Sequence, residues 1–229
     1  EYIVKTIVTT ETIKSIADAN NIRMYDCYTG FKWIAAVIRD NEGVARYLGG
    51  GEESYGFLAE EFARDKDAVS AVSLMAECLA WAKDKGMSFM EMLQDIYVKY
   101  GFSREEGISV VRPGKSGAEE IVAMMKEFRA NPPKTLGGSD VILVKDYADL
   151  NMTDMRDGHI EKLDFPTTSN VLQFFTADGT KVSIRPSGTE PKIKFYIEVR
   201  GKMATKADYH DATVAAEKKA AVIKSELGI

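Results

Sequence analysis

The chain has 229 residues, 45% of them hydrophobic and 28% charged, the profile of a globular protein with one large domain or two small ones. Its formal net charge of -5, from 30 basic and 35 acidic side chains, argues against nucleic acid as a partner, since polyanion binders are usually basic. A small phosphorylated ligand stays open, because a few local basic groups suffice to hold one.

No apolar run is long enough for a membrane-spanning helix, and the start lacks the basic-then-apolar pattern of a signal peptide. The chain opens Glu1-Tyr2-Ile3 without methionine, directly on a strand pattern, and is expected to be an excised piece of something longer. Cys27 and Cys78 lie far apart with no CxxC spacing, so neither a disulfide framework nor a zinc site follows and a reducing cytoplasm is expected. His159 and His210 are also isolated and read as surface or satisfied structural residues.

In chain order, Val4 to Val8 reads as a buried strand. Thr10 then caps a helix to about Ala19, with Ile13, Ile16 and Ala17 on one face. Ile22 to Cys27 is a second strand, after which Thr29 caps a helix through Ile38. Ala45 to Leu48 is a third strand, ending in Gly49-Gly50-Gly51. Ala68 to Lys83 is apolar almost all round, as expected of a buried helix, and Phe89, Leu93, Ile96, Tyr97 and Tyr100 mark another amphipathic one. This alternation predicts an α/β domain over residues 1–103 with a short, mainly parallel sheet. Ligands of such folds gather at the carboxyl ends of the strands, here Thr9-Thr10, Tyr28 to Lys32 and Gly49 to Gly56.

The pattern changes near Gly101 to Glu106. Ile108 to Val111 reads as a strand. A helix follows from Ser116 to about Ala130, striped by Ile121, Met124, Met125 and Phe128, and Asn131-Pro132-Pro133 stops it. Val141 to Val144 is a strand, and the stretch holding Met152, Asp154, Arg156 and Asp157-Gly158 reads as irregular. Val171 to Phe175 and Lys181 to Arg185 form a hairpin about Ala177-Asp178-Gly179. Ile193, Phe195, Ile197 and Val199 alternate with polar residues as in a half-buried strand, and a helix spans roughly Lys206 to Leu227. Residues 104–229 are thus expected to form an α+β domain, an antiparallel sheet with two helices.

Two loops suit ligands better than packing. In Gly50-Gly51-Glu52-Glu53-Ser54-Tyr55-Gly56, glycines permit close backbone approach, and a carboxylate beside a hydroxyl matches a sugar diol. The plainer reading is a glycine-rich turn with solvated carboxylates; a glycosidase pair needs a separation that adjacent residues do not display. In Arg185-Pro186-Ser187-Gly188-Thr189-Glu190-Pro191-Lys192, a guanidinium, two hydroxyls and a glycine, with Lys194 nearby, make an anion cradle. The plainer reading there is a hairpin loop with incidental polar residues. A dinucleotide site is the weaker rival, since Gly49-Gly50-Gly51 lacks a GxGxxG pattern.

Both loops resemble signatures of the α-D-phosphohexomutases, the phosphoglucomutases and phosphomannomutases. Gly51 to Gly56 is similar to that family's sugar-binding loop, and Arg185 to Lys192 to the phosphate-binding loop of its last domain. Val4-Lys5-Thr6, Thr29-Gly30-Phe31-Lys32 and Asp65-Lys66-Asp67 extend the likeness over nearly the whole chain. The resemblance implies the family's third and fourth domains. It implies that Glu52 and Ser54 bind sugar hydroxyls, that Thr29 and Gly30 contact the sugar, and that Arg185, Ser187, Gly188 and Thr189 hold the phosphate not being transferred. Lys66 and Lys5 match lysines near the reacting groups and are expected to be electrostatic or proton-transfer helpers. Phe31 departs from a histidine found in some members.

The family's phosphoserine motif finds no match here, since no serine precedes either histidine, and Asp154 and Asp157-Gly158 are too sparse for its aspartate-rich magnesium loop. The resemblance therefore implies a parent enzyme that uses Mg2+ bound outside this chain. It also implies glucose 1,6-bisphosphate as intermediate, glucose or mannose 1- or 6-phosphate as substrate, and missing N-terminal domains as partners. The chain alone is expected to be inactive; the alternative is a stand-alone sugar-phosphate-binding module.

Overall fold

The structure, a computed structural model, describes all residues from Glu1 to Ile229. It has two compact units, Glu1–Phe102 with Lys202–Tyr209, and Ser103–Gly201 with His210–Ile229. No helix is long and apolar enough to cross a membrane.

The first unit runs β1 (Tyr2–Thr6), α1 (Thr12–Ala19), β2 (Arg23–Cys27), α2 (Phe31–Asp40), β3 (Tyr47–Glu52), β4 (Gly56–Leu58), α3 (Ala68–Asp84) and α4 (Phe89–Tyr100). The sheet order is β2-β1-β3-β4. β1 pairs parallel with both β2 and β3, and β4 returns antiparallel on β3. Alternation along β1 sends Tyr2 and Val4 to one face. There they meet Phe31, Ile34 and Ile38, the helical stripe of α2, with Cys27, Tyr47 and Leu58 completing the core.

Several boundaries differ from the sequence reading. β1 begins and ends two residues earlier than expected. The N-cap position of α1 is Glu11, not Thr10, and makes no side-chain cap; Thr10 Oγ1 instead accepts from the Thr12 amide at 3.2 Å. The N-cap of α2 is Gly30 rather than Thr29, at φ 111°, a conformation that favours glycine. β3 runs through the three glycines instead of ending at Leu48, and the β3–β4 hairpin was not anticipated. Glycine is a weak strand former, but here close approach demands it. A Cβ on Gly50 would sit 2.5 Å from the Val4 carbonyl oxygen, and one on Gly51 2.6 Å from that of Gly56.

The expectation that α3 is buried is overturned. It packs on β4 and α4, yet only Ala82 is buried, and Val69, Val72, Met75, Leu79 and Trp81 are exposed. A helix apolar all round has no polar face to turn outward, so packing on one side leaves apolar side chains in solvent. α4 starts on a capping box in which Ser88 and Glu91 bond reciprocally.

The second unit contains β5 (Phe102–Val111), α5 (Gly114–Ala130), β6 (Thr135–Leu136), β7 (Ser139–Asp146), β8 (Asn151–Asp154), β9 (Ile160–Lys162), β10 (Leu172–Thr176), β11 (Lys181–Pro186) and β12 (Lys192–Gly201). A 3-10 turn at Lys206–Asp208, within the segment that belongs to the first unit, leads into α6 (Tyr209–Leu227). The sheet order is β5-β12-β11-β10-β7-β8-β9, with β6 beside β7. The stretch around Asp154 read as irregular is in fact the β8–β9 hairpin, where Asp154 ties down Arg156 rather than forming loop structure. The apolar face carries Leu172, Phe174, Val182, Ile184, Phe195 and Ile197, all buried, and Phe128 of α5 packs edge-on to Phe174 and Phe195.

Candidate functional site

Three predicted residues of the first unit meet at the carboxyl end of β3. Glu52, the last residue of that strand, accepts a hydrogen bond on Oε2 from the Gly30 amide at 3.1 Å. A carboxylate there faces the positive end of α2. The stem of Lys66 lies on the other side of the same spot. A Cβ on Gly56 would be 3.1 Å from both Glu52 Oε1 and Lys66 Cδ, so glycine at 56 leaves the room these two side chains share. The Lys66 ammonium lies 5.6 Å from the centre of the Phe31 ring and 3.4 Å from Asp65 Oδ1.

Asp67 fixes the approach of Lys66 by capping α3, accepting from the amides of Val69 and Ser70 at 3.1 and 3.0 Å. These backbone bonds, that from Ser70 foremost, hold its carboxyl below the usual range. Thr29 is half-buried beside Gly30, and Ser54 is exposed at the hairpin tip with Tyr55, whose φ of 68° is left-handed.

Sequence reasoning missed Glu53. Its Oε2 accepts from Thr6 Oγ1 at 3.2 Å and Thr9 Oγ1 at 3.4 Å, pinning the loop to the end of β1. The two threonines at that strand end were the available signal.

Lys5 is placed differently from the others. Its side chain is fully buried and its ammonium lies 2.7 Å from Asp26 and 3.0 Å from Glu11. Burial alone would lower its pKa, but the two carboxylates prevail and the net shift is upward. Lys5 is thus a fixed positive charge within the fold, not a group at the open loop.

In the second unit, the loop between β11 and β12 satisfies much of its own polarity. The amides of Thr189 and Glu190 both donate to Ser187 Oγ at 3.3 Å, and the Ser187 amide donates to the Lys192 carbonyl at 2.7 Å. The same Ser187 oxygen lies 3.5 Å from Thr189 Oγ1, and either hydroxyl can donate to the other. Arg185 and Lys194 are direct cross-strand neighbours, and neither makes an ion pair. Like charges opposed on a sheet are ordinarily unfavourable, so this pair is suited to an incoming anion. Lys192, by contrast, is already paired with Glu190 at 2.7 Å.

No group of three or more His, Cys, Asp or Glu side chains converges as a metal site.

The fold and these loops define an α/β unit followed by an antiparallel α+β unit, each carrying one polar loop at strand ends. The family model described as phosphoglucomutase/phosphomannomutase, alpha/beta/alpha domain III matches residues 1–100. The one described as phosphoglucomutase/phosphomannomutase, C-terminal domain matches residues 141–216. The chain belongs to the phosphoglucomutase/phosphomannomutase family.

A phosphoglucomutase of Staphylococcus saprophyticus is 35% identical over 201 residues, covering 87% of this chain and 36% of that protein. One of Staphylococcus aureus strain MRSA252 is 36% identical over 197 residues, covering 86% and 35%. The open form of the Paramecium phosphoglucomutase pp63/parafusin superposes with a TM-score of 0.60 at 18% identity, over 94% of this chain and 37% of that one, a likeness of fold. The chain therefore spans little more than a third of the length of these relatives.

Proposed function

We propose that this chain is the hexose-phosphate-binding part of a phosphoglucomutase/phosphomannomutase that interconverts hexose 1-phosphate and hexose 6-phosphate through a phosphoserine and a bisphosphate intermediate. Glu52 and Ser54 bind sugar hydroxyls, with Thr29 and Gly30 lining the same end of the sheet. The Glu52 carboxylate, already accepting from Gly30, keeps Oε1 for a hydroxyl donor. Arg185, Ser187, Gly188 and Thr189 hold the phosphate that is not transferred.

The observation that carries the reading is the Arg185–Lys194 pair, two neighbouring cations outside any ion pair, beside the loop that holds the Ser187 and Thr189 hydroxyls. Lys66, half-exposed next to Glu52, supplies positive charge near the reacting oxygens. Lys5, buried between Asp26 and Glu11, helps from within that end of the sheet, by its charge or by proton transfer.

No three of the chain's His, Cys, Asp and Glu side chains converge to seat magnesium. In this reading the ion, the phosphoserine and glucose 1,6-bisphosphate chemistry depend on domains outside the chain. Calorimetry with glucose 1-phosphate tests the proposal: heat of binding is expected, and Glu52→Ala or Arg185→Ala should abolish it. A coupled assay with glucose 1-phosphate and magnesium should give no turnover. Binding indifferent to both substitutions would refute the assignment, and turnover above background would refute the inactivity.

A further inference from the structure

The β3–β4 hairpin pairs Glu52 with Gly56, leaving Glu53, Ser54 and Tyr55 as its tip. Tyr55 lies at φ 68°, in the left-handed region that favours glycine, and its side chain is wholly exposed, so no packing holds it there. Strained backbone of this kind persists only where neighbouring structure fixes it. The tether is Glu53, whose Oε2 lies 3.2 Å from Thr6 Oγ1 and 3.4 Å from Thr9 Oγ1.

The anchor is itself well fixed. Thr6 and Thr9 are both buried, their hydroxyl oxygens are 2.8 Å apart, and the Thr9 amide donates to the Thr6 carbonyl at 3.0 Å. The Lys5 ammonium, clamped by Asp26 and Glu11, donates to the Thr9 carbonyl at 3.5 Å. Two hydroxyl protons serve three oxygen–oxygen contacts, so a carboxylate oxygen, which only accepts, fits the end of the chain. Taking Glu52 and Ser54 as the sugar contacts described above, we propose that Glu53 is a positioning residue for the hexose. Docked on the Thr6–Thr9 turn, it fixes the strained tip so that Glu52 and Ser54, its neighbours on either side, meet the sugar hydroxyls together. Glu53 does not touch the ligand. Its effect is preorganisation: an untethered tip must be ordered by the ligand, at the expense of affinity.

The test is calorimetry on the 229-residue chain with glucose 6-phosphate and inorganic phosphate. Glu53→Ala is expected to weaken glucose 6-phosphate about ten-fold and inorganic phosphate by less than about two-fold, because the phosphate loop belongs to the other unit. Glu53→Gln keeps an acceptor and should recover most of the loss. Thr6→Val should weaken the sugar phosphate similarly, and adding it to Glu53→Ala should change little more, since both break one contact. Four results overturn the positioning role: unchanged glucose 6-phosphate affinity in Glu53→Ala, a parallel loss for both probes, no recovery in Glu53→Gln, or additive losses with Thr6→Val. Glu52→Ala tests the underlying reading separately: if it binds glucose 6-phosphate as tightly as the wild type, the sugar-loop reading fails whatever Glu53 does. If the wild type holds neither probe, both fall. Glu53 is exposed, and circular dichroism verifies that its variants are folded.

Discussion

The carboxylate of Glu52 and the backbone amide of Gly30, 22 residues apart, are joined at 3.1 Å, tying the end of β3 to the start of α2. Glu52 thereby satisfies the amide of the N-cap residue itself, while Gly30 has no side chain to cap the amides that follow. Glu52→Ala is expected to cost about 1 kcal/mol of stability as well as sugar binding. Glu52→Gln, which keeps an acceptor but no charge, should recover about half of the stability. Urea denaturation of the three proteins measures the first effect. Equal stability for all of them would show that the bond is incidental.

Two glycines should behave oppositely. Gly50→Ala places a methyl 2.5 Å from the Val4 carbonyl oxygen and 2.8 Å from the Tyr47 hydroxyl. The sheet must shift, at a cost of about 2–3 kcal/mol. At Gly188 an added Cβ meets nothing within 4 Å and the backbone is not left-handed, so Gly188→Ala should leave stability within about 0.5 kcal/mol. If the loop grips phosphate through close backbone approach, the same variant loses affinity for glucose 6-phosphate. Thermal melts and calorimetry on the pair separate a packing glycine from a ligand-facing one.

Lys5→Met strips the counter-charge from Asp26 and Glu11, whose side chains keep 31% and 23% exposure, and should destabilise the first unit by about 2–3 kcal/mol. The folded pKa of Lys5 is raised, so its contribution is complete below the unfolded value of about 10.4 and is lost as pH climbs through the folded one. Burial raises Tyr28 to about 12 and Tyr47 further, and these groups weaken wild type and variant alike in alkali. The stability gap between the two proteins should therefore shrink above about pH 10.5. A gap constant up to about pH 12 would place the contribution elsewhere.

The two thiols are expected to differ in reactivity. Cys27 is buried, and desolvation first, with the Asp26 charge second, pushes its pKa to about 12. Cys78 lies on the partly exposed α3. Iodoacetamide near pH 8 should modify Cys78 well before Cys27, with peptide mass spectrometry as the readout. Equal rates would mean that the first unit opens readily.

Much of the fold was legible because local chemistry and burial agree. The alternation of Ile193, Phe195, Ile197 and Val199 needs no partner to be read as a strand, and all four are buried. The stripe of α2 is equally plain. The region of β8 and β9 was not, since these short polar strands owe their form to pairing, β8 with β7 and β9 with β8, rather than to their own pattern. The exposure of α3 was illegible for a related reason: composition states that a helix is apolar, not what lies beside it.

Sequence by itself determined the family, the two kinds of sheet and the two polar loops, because motif spacing and hydrophobic period are properties of neighbours along the chain. Only the tertiary structure decided that Lys5 is sealed between two carboxylates while Lys66 stays open beside Glu52. Partnership of charges depends on which residues distant in sequence arrive within a few ångströms, and no local pattern encodes that distance.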